Sequence, residues 1–241
     1  GRISHVFMPL ILLVIPAFLV LRQPDLGTTI LLVATGVVML FLAGVRAWVF
    51  MAGAVATIAA VVPLWKFVLL DYQKQRFLMF IDPEKDPLGA GYHILQSKIA
   101  LGSGGMFGKG FLEGSQSHLS FLPEKQTDFI FTMLAEEFGL VGGMTLIGLY
   151  LLLLIYAFAI SLRCRNQFGR LVGMGVSTSF FLNIFINIAM VMGVVPVVGM
   201  PLPLISYGGT AMLSLMFSFG LLLCVYVHRD VQIGPGAADG N

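Results

Sequence analysis

Four carboxylates and one glycine-rich turn are the groups in this sequence with chemistry to offer. Thr127-Asp128 closes a polar stretch and Phe129-Ile130-Phe131 opens an apolar helical run. The spacing predicts Asp128 at or just before a helix N-terminus, on a polar–apolar boundary. A carboxylate held there within hydrogen-bond reach of a hydroxyl can act as a general base. Capping alone would also explain the residue, because Asp is a favoured N-cap. Glu136 and Glu137 follow two helical turns on, about 12 Å along at 1.5 Å per residue. Carboxylates inside an apolar run are costly, and these are expected to pair within a helix bundle. Asp25, after Pro24 between two apolar runs, reads either as an ion-pair member or as a cap for the next helix.

The segment Gly102-Ser103-Gly104-Gly105-Met106-Phe107-Gly108-Lys109-Gly110 invites a phosphate-loop reading. Ser103 stands where the first Gly of that motif belongs, and Gly110 replaces the Ser or Thr after the Lys, so the motif fails. Two readings remain: turns that need positive φ, or a nest of backbone N–H groups which, with Lys109, approaches an anionic headgroup. From Asn187 to Thr210 the chain carries Pro196, Pro201, Pro203 and several glycines, then Ser206-Tyr207-Gly208-Gly209-Thr210. That pattern predicts a broken helix lining a polar cavity, with small residues and hydroxyls opening the next span. Cys164 and Cys224 show no metal-ligand spacing and no disulfide framework.

The elements that must position these groups are membrane helices. Of 241 residues, 58% are hydrophobic and 11% charged, with 20 Phe and 13 Met. Soluble domains have about 25% charged residues, so a nucleic-acid-binding module, a disordered chain and an ordinary cytosolic enzyme are excluded. The net charge of +2 points to no anionic partner. The expected fold is an all-α integral membrane protein, a polytopic bundle with spans at 6–21, 27–45, 48–70, 138–162, 171–195 and 204–227. Residues 1–233 read as one membrane domain and 234–241 as a flexible tail. Arg2, Arg46, Arg163, Arg165, Arg170 and Arg229 fall on one side of such a bundle, which by the positive-inside rule makes both termini cytoplasmic. The stretch 71–127 is then one large extracytoplasmic loop. Its six basic residues (Lys74, Arg76, Lys85, Lys98, Lys109, Lys125) are matched by six acidic ones. Tyr92, Leu95 and Ile99 share a helical face within it, which predicts a short interfacial helix.

The Asn187-to-Thr210 segment, through Pro196, Gly199 and Ser206-Tyr207-Gly208-Gly209-Thr210, closely resembles the signature of the SEDS family (RodA, FtsW and SpoVE). Three further blocks agree in order. They are Gln23-Pro24-Asp25-Leu26-Gly27-Thr28, Asp82-Pro83-Glu84-Lys85-Asp86-Pro87-Leu88-Gly89-Ala90-Gly91-Tyr92-His93, and Leu122-Pro123-Glu124 with Thr127-Asp128-Phe129. The loop is more similar to the elongation member, RodA, than to the division member, FtsW. The resemblance implies a glycosyltransferase of the bacterial cytoplasmic membrane that polymerises lipid II into glycan strands beside a class B penicillin-binding protein. It gives Asp128 the place of the family's proposed catalytic aspartate, and Asp25 that of an aspartate paired with a lysine from an earlier span. Family members have more spans than are counted here, so the earliest, that lysine included, are expected to be missing.

In this reading Arg76, Lys98, Lys109 and Lys125 are the candidates to neutralise a departing pyrophosphate, and Ser206 and Tyr207 to contact substrate. A divalent cation could share the task, although the sequence shows no ligand set for one. Two alternatives come from other classes: a lipid II flippase that uses the broken helices as its path, and a non-enzymatic membrane scaffold for the penicillin-binding protein.

Overall fold

The structure is a computed structural model, and it describes residues 4–23, 25–67, 74, 90–114 and 126–231. Among these residues the regular structure is helical: α1 (Ser4–Leu21), α2 (Leu26–Leu42), α3 (Ala47–Phe67), α4 (Ala90–Ser103), α5 (Ile130–Arg163), α6 (Gln167–Val191) and α7 (Gly209–Val227). Three of them, α5, α6 and α7, are long and apolar enough to cross a membrane. The first three carry shorter apolar stretches, Met8–Leu21, Gly27–Leu42 and Ala47–Ala59. The tail at 234–241 and most of 71–89 lie outside the described residues.

Helices α5, α6 and α7 form the centre. Phe131, Leu146, Tyr150 and Leu154 of α5 pack against Phe180, Ile184, Met190 and Val191 of α6. The ring of Phe180 meets Tyr150 at 6.0 Å and Phe219 at 5.3 Å, both edge-on. A second cluster, Ala157, Ile160, Cys164, Leu222 and Val225, closes the far end. Helix α2 fits between α1 and α6 because glycines face its neighbours. A side-chain carbon on Gly36 would collide with Leu13, and one on Gly175 would sit 2.8 Å from Met39 Sδ. Small residues let membrane helices approach this closely. Outward-facing Met8, Leu12, Ile58, Leu152 and Ile155 are each at least 65% exposed, the apolar surface a bilayer covers.

The two ends of the bundle are built differently. At one end, α5 turns into α6 through Cys164, Arg165 and Asn166, whose side chain caps α6 by accepting the Phe168 N–H at 3.1 Å. The Arg165 N–H reaches the Arg229 carbonyl at 3.0 Å, so Arg163, Arg165 and Arg229 gather there. At the other end lie Asp128, the start of α5 and the irregular stretch 192–208. From residue 140 to Arg163, α5 runs about 36 Å at 1.5 Å per residue, a full hydrocarbon thickness.

Several helix boundaries differ from the sequence expectation; the sixth span, expected from 204, begins only at Gly209, and the fifth, expected from 171, already at Gln167. The fourth span was expected from Phe138, but the helix begins at Ile130 and is interrupted at Gly139 (φ 68°, ψ −162°). Glu136 and Glu137 lower the hydropathy of 130–138 without preventing it from coiling. The fifth span was expected to reach 195, yet α6 ends at Val191. Gly193 takes φ 70°, and the N–H groups of Gly193 and Val194 return to Met190 and Ala189 at 2.9 and 2.8 Å, a glycine-terminated stop.

Candidate active site

Asp128 belongs to the turn 126–129 that leads into α5. The cap position is Phe129, so Asp128 stands one residue ahead of it, half-buried. Its backbone is held by the signature segment. Asn187, wholly buried near the end of α6, donates both amide hydrogens, one to the Asp128 carbonyl at 2.9 Å and one to the Met200 carbonyl. Two carbonyl partners fix which way the amide points. Its Oδ1 is buried without a hydrogen-bond partner among the described residues. Ser206 Oγ accepts the Leu202 N–H at 2.7 Å and donates to the Thr127 carbonyl, while the Tyr207 N–H donates to the Gln126 carbonyl at 2.9 Å. Residues 126, 127 and 128 are therefore each tied to a segment roughly sixty to eighty positions later, which supplies the partners that irregular backbone in a membrane protein requires.

Gly199 sits against the carboxylate itself. Its φ is 67°, and a side-chain carbon there would come 3.4 Å from Asp128 Oδ2. One residue earlier in the same loop, the Val198 carbonyl oxygen would be struck by a side-chain carbon on Gly27. Gly27 of α2 and Asp128 thus both abut residues 198–200. Asp25 caps α2, accepting the Thr28 N–H at 3.0 Å and the Thr28 hydroxyl at 2.6 Å.

Two spaces open beside this arrangement. A cavity of about 370 Å³ lies between α2, α6, α7 and the proline segment. Its polar lining is Thr28, Ser179, Asn183, Ser206, Ser214 and Ser218. A shallower, open groove of about 540 Å³ is bordered by Gln126, Ile130, Ile205 and Tyr207. Leu204, Ser206 and Met212 border both. Asp128 lines neither space, but Gln126 and Ile130, two positions to either side of it, line the groove. The Tyr207 ring is 77% exposed at its edge.

The other predicted groups fall in different places. Lys98 is exposed on α4. Lys109 Nζ donates to Glu136 Oε1 at 2.8 Å, and Glu136 is 1% exposed, so this pair holds the carboxylate inside the bundle. Arg76 and Lys125 lie outside the described residues. The glycine-rich turn makes no free phosphate nest: the N–H groups of Lys109 and Gly110 go to the carbonyls of Glu136 and Glu137 at 3.0 and 3.1 Å. Of the predicted interfacial helix, Leu95 and Ile99 are exposed, while Ser97 and Ala100 face the bundle. Ser97 Oγ shares a 2.8 Å hydrogen bond with Thr132 Oγ1 and donates to the Val191 carbonyl at 2.9 Å. Ser97, Thr132 and the double role of Asn187 escaped the sequence reading. For Thr132 and Asn187 the signal was a polar side chain inside an apolar helical stretch, whereas Ser97, between Gln96 and Lys98, gave none. Among the described residues no group of three or more His, Cys, Asp or Glu converges as metal ligands.

A membrane-spanning helical bundle whose broken helices converge on a half-buried aspartate at one end defines the class of this protein. The chain belongs to the cell cycle protein family of FtsW, RodA and SpoVE, whose model matches residues 1–231. It is 52% identical over 223 residues to the peptidoglycan glycosyltransferase MrdB of Escherichia coli K12, covering 92% of this chain and 60% of that one. It is 46% identical over 162 residues to the peptidoglycan glycosyltransferase RodA of Treponema pallidum, covering 67% of this chain and 37% of the relative. The chain therefore spans 60% of the length of the Escherichia coli relative. A chain of a solved peptidoglycan synthase complex, studied for its coordination of polymerization and crosslinking, matches with a TM-score of 0.79 and 32% identity over 95% of this chain and 63% of that one. The crystal structure of the rod shape determining protein RodA of Thermus thermophilus matches at 0.64 and 27% identity, over 96% and 59%.

Proposed function

We propose that this chain carries the catalytic half of a peptidoglycan glycosyltransferase that polymerises lipid II at the outer face of the bacterial cytoplasmic membrane, for elongation and rod shape. The observation that carries the reading is Asp128. It is a half-buried carboxylate whose backbone is held by Asn187, with the two residues before it held by Ser206 and Tyr207, beside an open groove and at the end of the bundle away from Arg163, Arg165 and Arg229. The arginine distribution supports cytoplasmic termini for this chain and an extracytoplasmic Asp128.

In the proposed step the 4-hydroxyl oxygen of the acceptor lipid II's GlcNAc attacks the anomeric carbon of the donor MurNAc. Its proton passes to the Asp128 carboxylate. The bond from the anomeric carbon to the pyrophosphate oxygen breaks, and undecaprenyl pyrophosphate leaves with the bonding electrons. Configuration inverts and a β-1,4 linkage results. Fixing the backbone of three successive residues, 126, 127 and 128, favours this role, because a base must be placed within hydrogen-bond distance of the proton it removes. Of the four basic side chains, Lys109 is engaged by Glu136, which leaves Arg76, Lys98 and Lys125 as candidates to neutralise the pyrophosphate. Ser206 acts through the backbone of Thr127, whereas the exposed Tyr207 ring is the candidate to stack on a sugar. The names of the similar proteins and the match to a synthase complex support lipid II as substrate and a class B penicillin-binding protein as partner.

The test is polymerisation of purified lipid II by the full-length protein with its partner, the partner's transpeptidase serine replaced. Asp128→Ala should abolish glycan product without loss of folded protein. Asp128→Asn keeps the shape but accepts no proton, so full turnover by that variant would remove the base assignment. Translocation of lipid II without any glycan product would replace this reading with the transporter.

A further inference from the structure

We infer that the glycine-rich turn at 104–110 is a latch that sets the position of Asp128, with Lys109 and Glu136 as its positioning residues. Helix α5 is two helices end to end, 130–138 and 140–163, joined at Gly139. The φ 68°, ψ −162° of Gly139 is a conformation open almost to glycine alone. Such a break strands carbonyls at the end of the first piece and N–H groups at the start of the second. The turn satisfies both sets. The Lys109 and Gly110 N–H groups donate to the Glu136 and Glu137 carbonyls at 3.0 and 3.1 Å, and Leu140 and Val141 donate to the Gly105 and Met106 carbonyls at 2.9 and 3.1 Å.

The fit leaves no room for side chains at the contact. A carbon added to Gly104 would strike the Ala135 carbonyl, and one added to Gly139 would lie 2.7 Å from Met106 O. Across this joint Lys109 Nζ meets the buried Glu136 carboxylate at 2.8 Å. Removing the lysine leaves a buried charge without that cation, which is far more disruptive than removing both partners. The first piece of α5 follows directly on Asp128. Its orientation is set by the turn as well as by the membrane span below it. Lys109 therefore acts on the reaction through Glu136 and the 130–138 piece, and not by touching pyrophosphate. This inference rests on the catalytic reading of Asp128.

The experiment is a double-mutant cycle in the full-length protein with its partner, measuring lipid II polymerisation, together with amide hydrogen exchange over 104–110 and 135–141. For Lys109→Met, kcat should fall by about 10²-fold, the scale of a small misplacement, with KM for lipid II unchanged and exchange at residues 109, 110, 140 and 141 accelerated. Adding Glu136→Gln should restore kcat to within about tenfold of wild type, because the neutral amide needs no cation. Lys109→Arg should retain both activity and protection. Should Lys109→Met fail to fold, Lys109→Arg and the double variant still carry the comparison. A raised KM with normal exchange, not rescued by Glu136→Gln, would overturn the inference and make Lys109 a substrate ligand. Unchanged kcat and exchange would overturn it too. Full turnover by Asp128→Asn would instead sink the catalytic reading, and it would leave the exchange result standing as a statement about the joint alone.

Discussion

The two ends of the bundle solve the same problem, reversing the chain at a membrane surface, at very different structural cost. At the arginine end three residues suffice. Asn166 caps α6, Cys164 packs under Gly169, and the exposed Arg165 and half-buried Arg229 lie near Asp230 at 4.0 and 3.5 Å. At the Asp128 end helices stop early and loops carry residues with positive φ, among them Leu204 at 68°. Buried Asn187 and Ser97 donate to carbonyls there, and Thr132 bonds the Ser97 hydroxyl. A bundle that needed only to stand in a bilayer could close both ends the cheap way. Under the proposed function, the irregular backbone with its dedicated polar partners is the cost of placing the Asp128 side chain.

That contrast can be broken or sharpened by substitution. The largest effect belongs to Asp128→Ala, where loss of the proposed general base should reduce polymerisation by about 10²–10⁴-fold, with the thermal unfolding midpoint in detergent unchanged. Gly139→Ala should follow, since backbone strain alone costs about 1–3 kcal/mol and the added carbon also meets the 104–110 turn. Unfolding in denaturant and glycan yield should both suffer. Asn187→Ala leaves the Asp128 and Met200 carbonyls without their donor and should cost about 1–3 kcal/mol. Turnover should drop beyond what stability explains, and Asn187→Asp, which cannot donate, should not rescue it. At the other end Asn166→Ala should cost about 1 kcal/mol for a lost cap and leave turnover of the folded fraction intact. Arg165→Ala should be the mildest, within about 0.5 kcal/mol by unfolding. If these two lowered turnover as much as Asn187→Ala, the division between a catalytic and a merely closing end would fail.

How much of this was legible in the sequence follows the same division. The helices of the arginine end were readable from apolar runs, because their stops are local: a polar turn, Asn166, a cluster of arginines. Asp128 was readable too, since a polar–apolar boundary is a sequence property, and it stands just before the helix, one residue ahead of the cap. The prolines and glycines after Asn187 announced a broken helix, and 192–208 is irregular as expected. What it touches was not announced. The bonds from Asn187 to Asp128 and from Ser206 to Thr127 join positions 59 and 79 residues apart. Glycine-rich 104–110 looked like a set of turns for the same reason: its partners are carbonyls exposed only because α5 breaks at Gly139. Short-range patterns report where backbone groups lose their usual partners, and tertiary structure decides who replaces them.

The shared border of the two spaces has a pharmacological consequence. Leu204, Ser206 and Met212 form part of both the hydroxyl-lined cavity among the helices and the open groove beside Asp128. A small molecule lodged in the cavity would press on side chains that also shape the groove, and would disturb the aspartate's surroundings without occupying the surface proposed to bind sugar. Resistance to such a compound should then arise at Ser179 or Ser214, which line the cavity alone, while Asp128 itself stays unchanged.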